Sequence, residues 1–331
     1  MKHVASTKRY ESMQYSFCGN SGLQLPKLSL GLWHNFGGVD VHENAKNILT
    51  DAFDNGITHF DLANNYGPPA GSAEETLGKV LANELAGYRD ELIISTKAGF
   101  GMWEGPYGDG GSKKYLFSSL HQSLKRLNLE YVDIFYHHRF DPQTPMEETM
   151  DALELIYKQG KALYIGLSNY NSKQTQQAVD LLSQRGVPCL IHQFKYSMFH
   201  REPEKDKLLQ RLEKNGIGSI AFSPLAQGLL TDKYIKGIPE DSRAAKSHGF
   251  LSKDEINDKT VNTIKELNSI AQSRSQSLAE MAIAWIWHQG VTSVLIGASS
   301  QKQLRTNLNA LSSTPFTDDE IKKIEKALTN G

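Results

Sequence analysis

The sequence predicts an α/β fold, a (β/α)8 TIM barrel with an N-terminal β-hairpin and a long loop after strand 7. Eight short apolar runs recur along the 331 residues, and nearly all are followed by a helical pattern. Runs such as YVDIFY are continuously hydrophobic, which suits strands covered on both faces. Polar residues fall at the carboxyl ends of the runs, the face on which a barrel builds its site. Strand-end clustering also suits an open doubly wound sheet, so the glycine-rich nucleotide motifs must separate the two.

Taken in order, Tyr15 to Leu25, with Gly19, Asn20 and Gly22 at its centre, reads as a β-hairpin. LSLGLW (28–33) is the first barrel strand, and its helix runs from about Glu43 to a stop at Asn55-Gly56. ITHFD then leads into a helix in AEETLGKVLANEL, and LIISTK into a Gly-rich loop and a helix near YLFSSLHQSLKRL. YVDIFYHH precedes the helix PMEETMDALELIYKQG, with Pro145 in its first turn and Gly160 at its end. LYIGLS is followed by SKQTQQAVDLLSQRG, and CLIHQF by one helix around KDKLLQRLEKNG. SIAFS and, much later, SVLIGAS complete the eight. Between them, Gln227 to about Asn257 is an unusually long connection, the kind that forms functional lids or disordered segments. No internal repeat or low-complexity linker divides residues 1–331, so a single domain is expected.

Composition narrows the partners. With 39% hydrophobic and 22% charged residues the chain is an ordinary globular one, and its net charge of -1 gives no reason to expect nucleic acid or an anionic membrane. Cys18 and Cys189 form no CxxC or metal spacing, so a reducing cytoplasm is the expected setting and no metal site is expected. No N-terminal apolar core resembles a signal peptide, and no run reaches the ~18–20 apolar residues that span a bilayer.

Four residues carry chemistry. Asp61 and Tyr66 lie in THFDLANNY, Lys97 ends LIISTK, and His138 ends VDIFYHH. A tyrosine has a pKa of about 10, and a lysine ammonium within hydrogen-bonding range lowers it. Lys97 can do this, Asp61 can hold Lys97 charged, and His138 can orient a carbonyl while Tyr66 delivers the proton. Each has a plainer reading alone: Asp61 as a cap or turn, Tyr66 as an anchor before Gly67-Pro68-Pro69, Lys97 as a solvated edge charge. His137 and His138 point to opposite faces of a strand, so one is structural and the pair chelates poorly. The convergence of all four at the ends of three successive strands is what points to catalysis.

Rival motifs fail. LSLGLWHNFGG lacks GxGxxG spacing, and there is no GxxxxGK[ST], HExxH or GxSxG. The chain resembles the aldo-keto reductase family, on FDLANNYG, STKAG, YVDIFYHHR, GLSNY, HQFKYS, FSPLAQGLLTDKY, GIPEDSR and VLIGASSQKQLRTN, in the family's order from about residue 15 to 311. Within the family it resembles the subgroup of the potassium-channel beta subunits and the bacterial L-glyceraldehyde 3-phosphate reductases, the latter the better likeness. The resemblance implies a barrel that binds NADP(H) without a Rossmann motif and reduces carbonyls by hydride transfer. Tyr66 is then the general acid, Lys97 and Asp61 its supports, and His138 the carbonyl-orienting group.

By position in the family's motifs, Asp61 and Trp33 flank the nicotinamide end, and Ser168, Asn169 and Gln193 bond its carboxamide. Phe222 takes the place where many members carry Tyr or Trp against the nicotinamide. Ser223, Pro224, Leu225, Gln227 and Gly228 line the pyrophosphate path, and Lys233 and Arg243 meet the phosphates. Gly297, Ser299, Gln303 and Asn307 serve the adenosine end, the last three on one face of a helix. Thr306 departs from the acid that often contacts adenine. Small aldehydes or ketones are the expected substrates: trioses, triose phosphates such as L-glyceraldehyde 3-phosphate, and methylglyoxal. Arg139 is a candidate for a substrate phosphate, unless it pairs with Asp141. The alternative is an NADPH-binding, redox-sensing regulatory subunit of slow turnover, against which His138 counts, since the beta subunits often carry Asn there. The subgroup also implies a homo-oligomer, a tetramer or octamer, though no segment announces the interface.

Overall fold

In the computed structural model residues 2–235 and 256–330 are described. A two-stranded hairpin, β1 (Tyr15–Phe17) and β2 (Gln24–Pro26), precedes eight strands: β3 (Leu28–Gly31), β4 (His59–Asp61), β5 (Ile93–Ala98), β6 (Val132–His137), β7 (Ala162–Ser168), β8 (Cys189–Lys195), β9 (Gly218–Phe222) and β10 (Ser293–Ile296). These eight pair in parallel and close, β10 bonding back to β3. Among the described residues the α-helices are α1 (His42–Asp54), α2 (Ser72–Ala82), α3 (Lys113–Leu127), α4 (Met146–Lys158), α5 (Ser172–Gln184), α6 (Glu202–Lys205), α7 (Leu208–Lys214), α8 (Asp258–Ser273), α9 (Leu278–His288), α10 (Gln301–Leu308) and α11 (Asp318–Asn330). The expected hairpin and barrel order are both present.

Two apolar layers result. The larger lies between strands and helices and takes outward residues such as Leu30, Phe60, Ile94, Phe135, Ile165 and Val294. The smaller fills the barrel and takes Ile134, Tyr136, Ile191, Ile220 and Leu295. Cys18 and Leu25 of the hairpin join that inner cluster, so the hairpin floors the barrel. Gly19, at φ 57, meets the Gly216 carbonyl so closely that a Cβ would stand 2.1 Å from it. Gly166 of β7 is needed for space: its Cβ would lie 2.5 Å from the Tyr136 ring.

Helix boundaries follow their caps. Asn171 with Gln174, and Ser277 with Glu280, form capping boxes at α5 and α9. Pro145 is the N-cap of α4 rather than a first-turn residue. The single helix expected around KDKLLQRLEKNG is two. Lys207 is left-handed at φ 62, and Asp206 ends one segment and starts the next by accepting from the amides of Ser172 and Leu208.

Candidate active site

Side-chain alternation along each strand decides which residues reach the barrel mouth. In β6 Ile134 and Tyr136 face inward, so the next residue of that parity is His138, while His137 faces out with Phe135. His137 there bonds the Tyr170 hydroxyl through Nδ1 at 2.6 Å, a structural role. The same count brings Asp61 inward at the end of β4, Lys97 in β5, Ser168 in β7, Gln193 in β8 and Phe222 in β9. Tyr66 lies five residues beyond Asp61, in the loop before α2. Its ring centroid is 6.0 Å from that of His138 and 6.3 Å from that of Trp33.

The four sequence-predicted catalytic residues are thus brought together. Lys97 donates to Asp61 Oδ2 at 2.5 Å, with side-chain exposures of 0% and 3%, so neither is a solvated edge charge. Asp61 Oδ1 accepts from Ser95 at 2.7 Å and from Gln193 Nε2 at 3.1 Å. Three protein donors thus hold one buried carboxylate, the condition under which such a pair is tolerable. Burial drives the Lys97 ammonium below its ordinary range, opposed by Asp61. Burial also pushes His138 well below the ordinary histidine range, with Lys97, His137 and Arg139 adding to it. The expected lowering of Tyr66 is not found: burial, with the Asp61 charge, holds its hydroxyl well above the usual phenol range. Lys97 stands 5.2 Å from the Tyr66 ring centroid, and the hydrogen bond it donates goes to Asp61.

The described residues expected to meet a cofactor follow the carboxyl ends of several barrel strands. Ser168 and Gln193 are register partners on β7 and β8. Asn169 is left-handed, and its Nδ2 donates to Ser168 Oγ at 3.1 Å and to the His138 carbonyl at 2.9 Å. Phe222 ends β9, half-buried against the inner cluster. The chain then turns through Ser223, Pro224, Leu225, Gln227 and Gly228, with positive φ at Ser223, Ala226, Gln227 and Gly228. Such clustered left-handed backbone gathers N–H groups into anion-binding concavities. Lys233 is exposed on the short turn Asp232–Tyr234. Arg243 lies outside the described residues.

Past β10, Gly297 is exposed and Ser299 comes before α10, because Ser300 is the N-cap. Only Gln303 and Asn307 lie on that helix, which corrects the expectation of three residues on one helical face. Ser299 still meets Gln303, whose Oε1 accepts from its amide and its hydroxyl. Asn307 is 3% exposed and its Nδ2 has no protein partner. Thr306 is exposed and bonds the Lys302 carbonyl. Arg139 pairs with Asp109 at 3.0 Å rather than with Asp141, and stacks over Phe100 at 5.0 Å. Phe100 in turn meets His138 edge-on at 4.7 Å.

Residues 27–329 match the model of the aldo/keto reductase family. The chain belongs to that family. Among its relatives are the L-glyceraldehyde 3-phosphate reductases of Escherichia coli O157:H7 and of Escherichia coli strain K12. Each is 54% identical over 336 aligned positions, which cover 100% of this chain and 97% of the relative. In this aldo/keto reductase the described residues hold no cluster of three or more His, Cys, Asp or Glu able to bind a metal. No described helix is long and apolar enough to cross a membrane.

Sequence reasoning missed two polar neighbours of the site, His59 and Ser95. The signal was available: His59 shares the parity of Asp61 in HFD, and Ser95 that of Lys97 in STK. The edge-on contact of Phe100 with His138 lies in the loop after β5, where no periodicity reveals it.

Proposed function

We propose that the chain is an NADPH-dependent reductase of small aldehydes and ketones, with Tyr66 as general acid. Triose phosphates such as L-glyceraldehyde 3-phosphate are the leading substrates, by the names of the relatives, and methylglyoxal is a smaller one. The observation that carries the reading is the buried Asp61–Lys97 pair, 2.5 Å apart, under a tyrosine and a histidine at the barrel mouth. Burying an ion pair costs desolvation energy, and perturbed ionisable groups of this kind cluster at functional sites.

The residues present fit the cofactor. Asn307 Nδ2 is a buried donor without a protein partner, and the left-handed backbone from Ser223 to Gly228 suits a pyrophosphate. Trp33, Ser168, Asn169, Gln193 and Phe222 would hold the nicotinamide end, with Gly297, Ser299 and Gln303 near the adenosine. Lys233 and Arg243 would meet the phosphates. When bound, the nicotinamide supplies the hydride.

The chain's own residues supply the rest. Tyr66 keeps its proton at neutral pH, and gives it up as negative charge develops on the carbonyl oxygen. Lys97 stabilises the phenolate left behind, and Asp61 keeps Lys97 charged against its burial. His138 is a neutral imidazole, and its Nδ1 is buried without a partner, so the proton belongs on Nε2. From there it donates to the carbonyl and orients it. Cys18 and Cys189 as free thiols support a cytoplasmic setting. We take the chain to work as one domain, assembled as a tetramer or octamer.

The test is oxidation of NADPH by L-glyceraldehyde 3-phosphate and by methylglyoxal. Turnover with either supports the reading. Tight NADPH binding without detectable chemistry overturns it.

A further inference from the structure

A column of polar groups runs through the barrel interior beneath Asp61. His59 Nε2 meets Ser95 Oγ at 2.9 Å, and Ser95 donates to Asp61 Oδ1 at 2.7 Å. On the other side His59 Nδ1 meets Ser29 Oγ at 2.9 Å, and Ser29 meets Ser293 Oγ at 2.7 Å. Ser293 ends the column at the Pro26 carbonyl, 2.7 Å away on the hairpin floor. Strands β3, β4, β5 and β10 each contribute, and His59, Ser29, Ser95 and Ser293 are wholly buried.

Counting protons assigns the links. A carboxylate only accepts, so the Ser95 proton points to Asp61 and His59 Nε2 must carry a hydrogen toward Ser95. The floor side has three links, Nδ1 to Ser29, Ser29 to Ser293 and Ser293 to Pro26. Two hydroxyl protons are available for them when His59 is neutral. Burial, opposed by Asp61 and reinforced by Lys97, lowers His59 to about 4, so neutral is its state at pH 7. The floor side is therefore one proton short, while the side facing Asp61 is complete. Asp61 on its own strand and Lys97 on β5 are the charges acting on His59, and β3 and β10 present hydroxyls.

We propose that His59 and Ser95 are positioning residues for the reaction, which send one hydrogen-bond donor to Asp61 Oδ1 and so turn Oδ2 toward Lys97. With Gln193 Nε2 on the same oxygen, Oδ1 is fully engaged and Oδ2 is left for the ammonium. Neither His59 nor Ser95 need touch substrate or cofactor. The inference rests on Asp61 and Lys97 serving Tyr66, as proposed above.

The experiment compares Ser95→Ala, His59→Leu and His59→Gln with the wild type and with Tyr66→Phe, in kcat, KM, NADPH binding and the pH profile of kcat. Ser95→Ala removes one hydroxyl from a packed wall and keeps the fold testable if His59→Leu does not fold. Loss of a hydrogen bond to a charged group predicts a kcat lower by roughly ten- to a hundredfold. NADPH affinity is expected to stay within about twofold, since a positioning role leaves uniform binding alone. The acid limb of the kcat profile moves to higher pH, and His59→Gln, whose amide restores a donor, recovers much of the loss. A folded Ser95→Ala enzyme whose kcat profile superimposes on the wild type overturns the inference. If that happens while Tyr66→Phe abolishes turnover, the column falls and the reductase reading stands; a wild type inert toward all aldehydes removes both.

Discussion

Asp61 and Lys97 show how a residue's surroundings decide its energetics. Each is nearly inaccessible to water, so replacing one strands the other charge in the barrel. Asp61→Ala is expected to cost about 3–5 kcal/mol in denaturant unfolding. Tyr66→Phe should leave stability almost unchanged while lowering kcat by about 10²–10⁴, a split that equilibrium unfolding and steady-state kinetics read separately. The convergence of these residues was legible because period-two alternation fixes which side chains face inward. What was not legible is partner choice. Asp61 was expected to hold Lys97 and does, but the lowering of Tyr66 expected from Lys97 is absent, because burial and the Asp61 charge raise it. Arg139 was weighed against Asp141, yet it finds Asp109 in the loop after β5. Both outcomes depend on angstrom-scale distances between segments far apart in sequence.

At the scale of elements, local chemistry sets boundaries that hydrophobic pattern leaves loose. The capping box at Ser277 and Glu280 satisfies two amides at the start of α9. Ser277→Ala is expected to destabilise the protein by about 1 kcal/mol, measured as a lower denaturant midpoint at constant slope. Gly166→Ala pushes a methyl into the Tyr136 ring and should cost about 1–3 kcal/mol, although alanine suits a strand no worse than glycine. The eight strands were readable as apolar runs, and so was the hairpin. The break at Lys207 was not, because Asp206 makes it with tertiary bonds, one of them to the amide of Ser172 on another helix. The long connection after β9 is where cofactor preference should reside. Arg243→Ala is expected to weaken NADPH far more than NADH, and equal losses for the two in fluorescence titration would remove Arg243 from the 2′-phosphate.

Across the whole molecule, buried histidines link stability to pH. Burial lowers His59 and His137 to about 4 and His192 to about 3, against an ordinary value of 6.5. Below pH 6.5 the unfolded chain takes up protons that the folded barrel refuses. The stabilisation is thus complete above pH 6.5 and is lost as pH falls toward 4. A thermal melting temperature that drops steadily over that window is the expected result, and a flat profile would contradict it. The same closed barrel that buries these rings carries the candidate site at its mouth. The chain is 54% identical over its full length to two L-glyceraldehyde 3-phosphate reductases, and the names of those relatives motivate the substrate proposed above. The most direct test is single-turnover oxidation of bound NADPH on mixing with L-glyceraldehyde 3-phosphate, in the wild type and in Tyr66→Phe. Rapid oxidation in the wild type, with Tyr66→Phe binding NADPH equally well but reacting at least about a hundredfold more slowly, is the predicted result. Equal rates in the two proteins would contradict it.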